Sequence, residues 1–313
     1  MNEKTLMRDV LVDFLREQMA KDDKVVMVDA DLGKCSTTLC LQSEFPGRAY
    51  NVGIAEANMV SIAAGLATRG FIPFVHSFAP FITRRACDQV MISVCYAKQN
   101  VKLVGTDPGI TAELNGGTHM PLEDVGIMRS IPNVVIYEPS DVFEFKQALP
   151  QILSHVGPVY IRMHRKNPPL VFNNDTKFDL FKAYSLREGT DATIVATGIM
   201  IDTALQAARQ LGEEGISVEV IACPTVKPLD EKTIISSAKK TGAVVTAENH
   251  NVMGGLFSAV SEALSSNYPV PIKAIGVKEK FGEVGKMPYL RKVYNMEVED
   301  VIKAVKEAIA MKK

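Results

Sequence analysis

Two hydrophobic periods alternate along the chain. Between Thr5 and Lys21, Leu6, Val10, Leu11, Phe14 and Leu15 recur on one side of a 3.6-residue period, which predicts an amphipathic helix. KVVMVDADLG follows, a continuous apolar run ended by acids and a glycine, as in a strand buried on both faces. The alternation then repeats. IPFVHSF precedes helix-like FITRRACDQVMISVCYAKQ, and VKLVGTD precedes a Gly-rich loop and LEDVGIMRSI. NVVIYEP precedes Ser140, a good N-cap, and DVFEFKQALPQILSH; PVYIRM closes the series. Strands alternating with helices predict an α/β fold with a mostly parallel sheet.

A polar stretch, HRKNPPLVFNNDTKFDLFKAYSLREGTD, interrupts this order and suits a linker. A second, shorter series begins near Ala192: TIVATG, helix, VEVIAC, helix, AVVTAEN, a Gly-Gly turn, helix, IKAIGV and a terminal helix from about Val298. The pattern therefore predicts two domains, a larger one over 1–185 with the linker and a smaller α/β one over 186–313.

Composition narrows the class. At 313 residues, 47% hydrophobic and net charge -1, the chain can bury a large core and shows no electrostatic footprint for nucleic acid. The longest apolar runs, such as ATIVATGIMI, are about half a membrane span, and MNEKTLMRDV has no signal-peptide core. The five cysteines form no CxxC pair and read as reduced, mostly buried thiols of a cytoplasmic protein without a metal site. Neither GxGxxG, GxxxxGK[ST] nor GxSxG occurs.

Three strand ends or loops carry candidate chemistry: VDADLG (28–33), HSFAPF (76–81) and ELNGGTHMP (113–121). Ligands of open α/β sheets bind outside the carboxyl ends of strands, where these loops fall. The paired glycines of NGGTHMP allow a backbone path that presents Thr118 and His119 to a substrate, or simply make a turn beside a surface histidine. Phe78 and Phe81, three apart, either stack on a flat heterocycle or fill core. Glu56 opens the otherwise apolar helix of NVGIAEANMVSIAAGLATRG. The helix dipole accounts for an acid there but not for its apolar flanks.

Taken in order, VDADL, VGIAEANM, GFIPFVHSFAPF and NGGTHMP resemble the C-terminal half of transketolase, and IVATG, AENHNVMGG and EKFGEVG extend the resemblance through the second domain. A wider kinship to deoxyxylulose-phosphate synthase and to the beta subunits of 2-oxo acid dehydrogenases is visible in IAE, GLA and DQV. The resemblance implies a thiamine diphosphate enzyme that moves a two-carbon ketol unit from a ketose, or ketose phosphate, to an aldose acceptor. The Gly-Asp-Gly motif that ligates the metal is absent, so the implied architecture is a split transketolase. This chain would hold the aminopyrimidine, and an N-terminal subunit would hold the diphosphate with Mg2+ or Ca2+, in an α2β2 heterotetramer.

The same resemblance assigns residues. Glu56 would bond a ring nitrogen of the aminopyrimidine, its apolar surroundings keeping it protonated. Phe81 would stack on that ring with Phe78 beside it, and Asp31 and Leu32 would line the pocket. His119 would meet the substrate hydroxyl and transfer protons. Arg8 and Arg165 would hold the sugar phosphate, a task suited to the guanidinium fork. Departures from the family fall at that end. Thr106 or Asp107 replaces a phosphate-gripping His, Cys35 a phosphate-binding Ser, Asn115 an Asp that reads a hydroxyl, and Arg84 an aromatic flanking the pyrimidine. They leave the sugar and its acid group open. A deoxyxylulose-phosphate synthase-like or acyloin-forming subunit, or a non-catalytic regulatory relative, are the other readings. His250 is expected to be structural or at an interface.

Overall fold

The computed structural model describes residues 5–166, 168–173 and 176–312, so Met1 to Lys4 of the N-terminal reading and Asn167, Asn174 and Asp175 of the polar stretch lie outside the described residues. Among the described residues, twelve strands form two sheets. They are β1 Val25–Asp29, β2 Ala49–Asn51, β3 Ile72–Phe78, β4 Lys102–Thr106, β5 Val135–Tyr137, β6 Val159–Met163, β7 Tyr184–Arg187, β8 Ala192–Ala196, β9 Val218–Ala222, β10 Thr225–Lys227, β11 Val244–Asn251 and β12 Ile272–Val277. The larger sheet has the order β10-β5-β6-β4-β3-β1-β2 and the smaller β12-β11-β8-β9-β7. Both are parallel except at one edge, where β10 and β7 run antiparallel.

Continuous apolar runs became the central strands for the expected reason. Every residue of β1, β4 and β6 is buried, because helices cover both faces of a parallel sheet. The register aligns the strand ends: Asp29 pairs with His76, Phe78 with Thr106, and Thr106 with Met163. The loops that carry the candidate residues thus leave one edge of the sheet. β2 and β3 lie on opposite sides of β1, so that edge includes a point where the winding reverses, a favoured ligand crevice.

Several local readings need correction. The N-cap of helix Val142–Ser154 is Asp141, not Ser140: its Oδ1 accepts from the N–H groups of Phe143 and Glu144, both at 2.9 Å. Asp141 Oδ2 also accepts from Val171 and Phe172, tying the supposed linker to the helix. That stretch is no plain linker. Phe172, Phe178 and Leu180 are buried, and β7 edges the second sheet. β10, from the second half of the chain, completes the first sheet against β5. FITRRACDQVMISVCYAKQ is helical, but Phe81–Arg85 and Val90–Tyr96 are π-helical. Of the cysteines, only Cys95 and Cys223 are fully buried.

Arg162, at the end of β6, is completely buried and holds the two sheets together. It donates to Asp124 (2.8 Å), to Glu138 (2.8 Å) and to the carbonyl of Asn249 on β11 (2.7 Å). Asn249 in turn accepts from Ile110 N–H and donates to the Pro108 carbonyl, so the second sheet fixes the loop that follows β4. His250 is buried in this network, with Asp124 and Glu248 at 3.8 and 3.6 Å.

Candidate active site

Glu56 is the first residue of helix Glu56–Thr68, and its side chain is 2% exposed. The helix begins there because Gly53, at φ 76°, turns the chain after β2, and no side chain caps the first N–H groups. The expected apolar surroundings are not what the fold provides. Ser77 donates to Oε1 at 3.1 Å, and Arg85 donates to Oε2 at 2.8 Å as an ion pair. The buried carboxylate is thus met by two donors rather than by apolar groups alone.

Arg85 has a second contact. Its guanidinium lies over the Phe81 ring, 3.9 Å from the centroid. A planar N–H donor is thus held between a buried carboxylate and an aromatic face. An aminopyrimidine asks for the same pair of partners, so the residues fit that group. They fit it on condition that Arg85 yields its place. Sequence reasoning missed Arg85, although it stands four residues after Phe81, close enough along a helix to share a face with it.

Phe78 ends β3 and Phe81 opens the π-helical turn; their centroids are 6.1 Å apart, edge to face. The imidazole of His119 packs on both, at 5.7 Å from Phe78 and 5.1 Å from Phe81. The glycine pair explains how it arrives there. Gly116 has φ 75°, and a Cβ on Gly117 would sit 2.4 Å from the Gly282 carbonyl of the second domain. Thr118 Oγ1 lies 2.9 Å from His119 Nδ1, orienting the ring. Asn115 is exposed at the end of the preceding 3-10 turn. Arg84 pairs with Glu123 and faces the Thr118 carbonyl, bracing this loop.

From Phe78 the row continues to Arg165, whose guanidinium carbon is 5.2 Å from the ring centroid. Arg165 and Arg8 converge on the Cys35 carbonyl, at 3.5 and 3.0 Å. Arg165 also pairs with Asp107, which burial leaves 2% exposed. Burial works against the charge of Arg165, yet Asp107 raises its pKa. Cys35 thus meets the arginines through its backbone oxygen. Asp31 is exposed with φ 61°, its N–H and carboxylate engaged by Asn51, and Leu32 is half-buried beside it. Under these loops, Asp29 accepts from Leu32 N–H and Thr38, and faces His76 Nδ1 at 2.8 Å. His76 Nε2 reaches Thr106 at 3.2 Å. That buried set, outside the expected list, pins three strand ends together.

The structure therefore brings Glu56, Phe81, Phe78, His119, Arg165 and Arg8 into one row, and leaves Asp31 and Asn115 exposed at its borders. Among the described residues, no group of three or more His, Cys, Asp or Glu side chains is placed to hold a metal ion, and no helix is long and apolar enough to cross a membrane.

The chain is similar to known proteins over nearly its whole length. Residues 3–170 match the transketolase pyrimidine binding domain, and residues 182–301 the transketolase C-terminal domain. The chain is 52% identical, over 98% of its own length and 95% of the relative's, to the 6-deoxy-6-sulfo-D-fructose transketolase subunit SqwH of Clostridium sp. (strain MSTE9). It superposes with TM-score 0.90 and 40% identity on a split gene transketolase solved as an inactive beta4 tetramer, covering 99% of this chain and all of that one. Against the transketolase of Campylobacter jejuni, at 23% identity and TM-score 0.79, 97% of the chain covers 47% of the relative, a likeness of fold alone.

Proposed function

The chain belongs to the transketolase family, and on that premise we propose that it is the pyrimidine-holding subunit of a split ketol transferase. It would move a two-carbon unit from a ketose with a terminal acid group to an aldose. A second chain would carry the diphosphate and its divalent metal. The observation that carries this reading is the unbroken row from the buried carboxylate of Glu56, across Phe81, His119 and Phe78, to the paired arginines. The donor is best matched by a 6-sulfo ketose, after the relative that shares about half of these residues.

Thiamine diphosphate, when bound, supplies a nucleophilic carbon and an electron sink for carbon–carbon cleavage. The chain's own residues do the rest. Glu56 holds a proton at the pyrimidine ring nitrogen once Arg85 has withdrawn. Phe81 offers its face to the ring. His119, mounted on the two phenylalanines, accepts or returns a proton at the substrate hydroxyl. Arg8 and Arg165 fix the far end of the sugar, so its carbonyl lies at the aromatic end of the row.

The test is reconstitution. The purified chain alone should be inactive; with its partner chain, thiamine diphosphate and Mg2+ it should transfer ketol units, and scattering should report two copies of each chain. Glu56→Ala in that complex should lower the rate at least about 100-fold. Full activity of this chain alone, or of the Glu56→Ala complex, would falsify the reading. Pyruvate consumption with carbon dioxide release would assign it to the deoxyxylulose-phosphate synthase-like or acyloin-forming relatives instead.

A further inference from the structure

At the acid end of the row, the donors outnumber the acceptors. Arg8 Nε and Arg165 Nε are buried and have no hydrogen-bond partner among the described residues, while Asp9 stands 3.9 Å from the first. Buried guanidinium N–H groups left over in this way mark a place for an anion. The unusual member is Asp107, a carboxylate inside a pocket for negative charge.

Asp107 is held there firmly. It has φ 55°, a left-handed conformation uncommon for a residue with a side chain. Its N–H bonds the Met163 carbonyl at 3.1 Å, and Pro108, next in the chain, is gripped by Asn249. One oxygen pairs with Arg165, and the other, Oδ1, is buried with no donor. The remaining groups that face it add no charge. Burial pushes the neighbouring His164 down to about 4, so it is neutral near pH 7, and Cys35 presents a carbonyl. Lys166 is turned away to Glu113. Two guanidinium charges less the buried Asp107 leave one positive charge for the ligand, and the half-exposed Asp9 at the rim lowers it further.

We propose that Asp107 is the specificity-determining residue of this pocket, selecting a ketose whose terminal acid is a monoanion, a sulfonate, over one that ends in a phosphate dianion. A sulfonate has one charge and three acceptor oxygens at any working pH. A phosphate monoester has close to two charges above its second ionisation near about 6. Like-charge repulsion from a buried carboxylate grows with the charge of the ligand, so Asp107 works as a built-in penalty against phosphate. Below that pH the phosphate monoanion carries one O–H, and the orphaned Oδ1 can accept it.

This inference rests on the ketol-transfer reading, and one experiment separates them. The reconstituted complex is assayed with 6-deoxy-6-sulfofructose and with fructose 6-phosphate as donors, from pH 5.5 to 8. The wild type should favour the sulfonate by on the order of tenfold or more in kcat/KM at pH 8, and the ratio should shrink as the phosphate takes up its proton. Asp107→Asn should collapse the ratio and flatten its pH dependence, and Asp107→Glu should restore both. A wild-type ratio that favours phosphate or ignores pH overturns the inference without any variant. So does an Asp107→Asn ratio equal to the wild type. No transfer from either donor overturns the ketol-transfer reading, and this inference with it.

Discussion

At the residue scale, the decisive feature is the double contact of Arg85. Its guanidinium satisfies Glu56 and covers Phe81, so under the proposed function a cofactor ring bound there would have to displace it. Binding is then weakened by the fraction of molecules in which Arg85 stays in place. Arg85→Ala in the reconstituted complex should tighten thiamine diphosphate binding by roughly tenfold, read by titration calorimetry. Weaker binding would mean that Arg85 holds the ring rather than its place. The sequence made Glu56 legible because one acid stands at the mouth of an apolar helix. It hid Arg85 because nothing in RRACDQV says which arginine reaches Glu56; that depends on the π-helical turn.

At the scale of the element, caps and helix period decide what was readable. Helix Val142–Ser154 and the terminal helix Val298–Ala310 lie where the hydrophobic period put them. The cap shifted by one residue because Asp141 serves four N–H groups at once, two in its own helix and two in the strap at Val171 and Phe172. Removing it leaves several buried donors unsatisfied. Asp141→Ala should therefore cost about 3 kcal/mol in denaturant unfolding, against under about 1 kcal/mol for Ser140→Ala. Equal losses would return the cap to Ser140. The aromatic segment became π-helical, and an alternation of apolar and polar residues cannot separate that from an α-helix.

At the scale of the molecule, the two sheets are joined through buried charge rather than apolar contact alone. His250 belongs to that joint. Its Nε2 lies 3.3 Å from Gly126 N–H and its Nδ1 2.5 Å from the Asn251 carbonyl, which suits a neutral ring that accepts at one nitrogen and donates at the other. Burial pushes its pKa down to about 4, below the ordinary value near 6.5. The folded-state value is the lower one, so the stability it contributes is present above about pH 6.5 and lost as pH falls through about 4. His164 acts in the same direction. Glu144 and Glu248, raised to about 8 by burial, act oppositely as pH falls from about 8. The difference between wild type and His250→Asn isolates the histidine. Between pH 6.5 and 4.5 the wild type should lose more stability than the variant, by up to about 3 kcal/mol, in urea titrations. Parallel curves would remove His250 from the acid response.

The two mostly parallel α/β sheets and the central strands of each were legible in the sequence alone, whereas the edge strands β2, β7 and β10 were not. Those features follow from local rules: continuous apolar runs make central parallel strands, strand ends collect ligand groups, and glycine pairs open loops. Partnership was decided only by the tertiary structure. Whether Glu56 sits among apolar groups or against Arg85, whether Asp107 cancels Arg165, and which sheet fixes the loop after β4 all depend on residues far apart in the chain. Charge acts through space, so its balance in a buried pocket appears only when the strand ends are brought together.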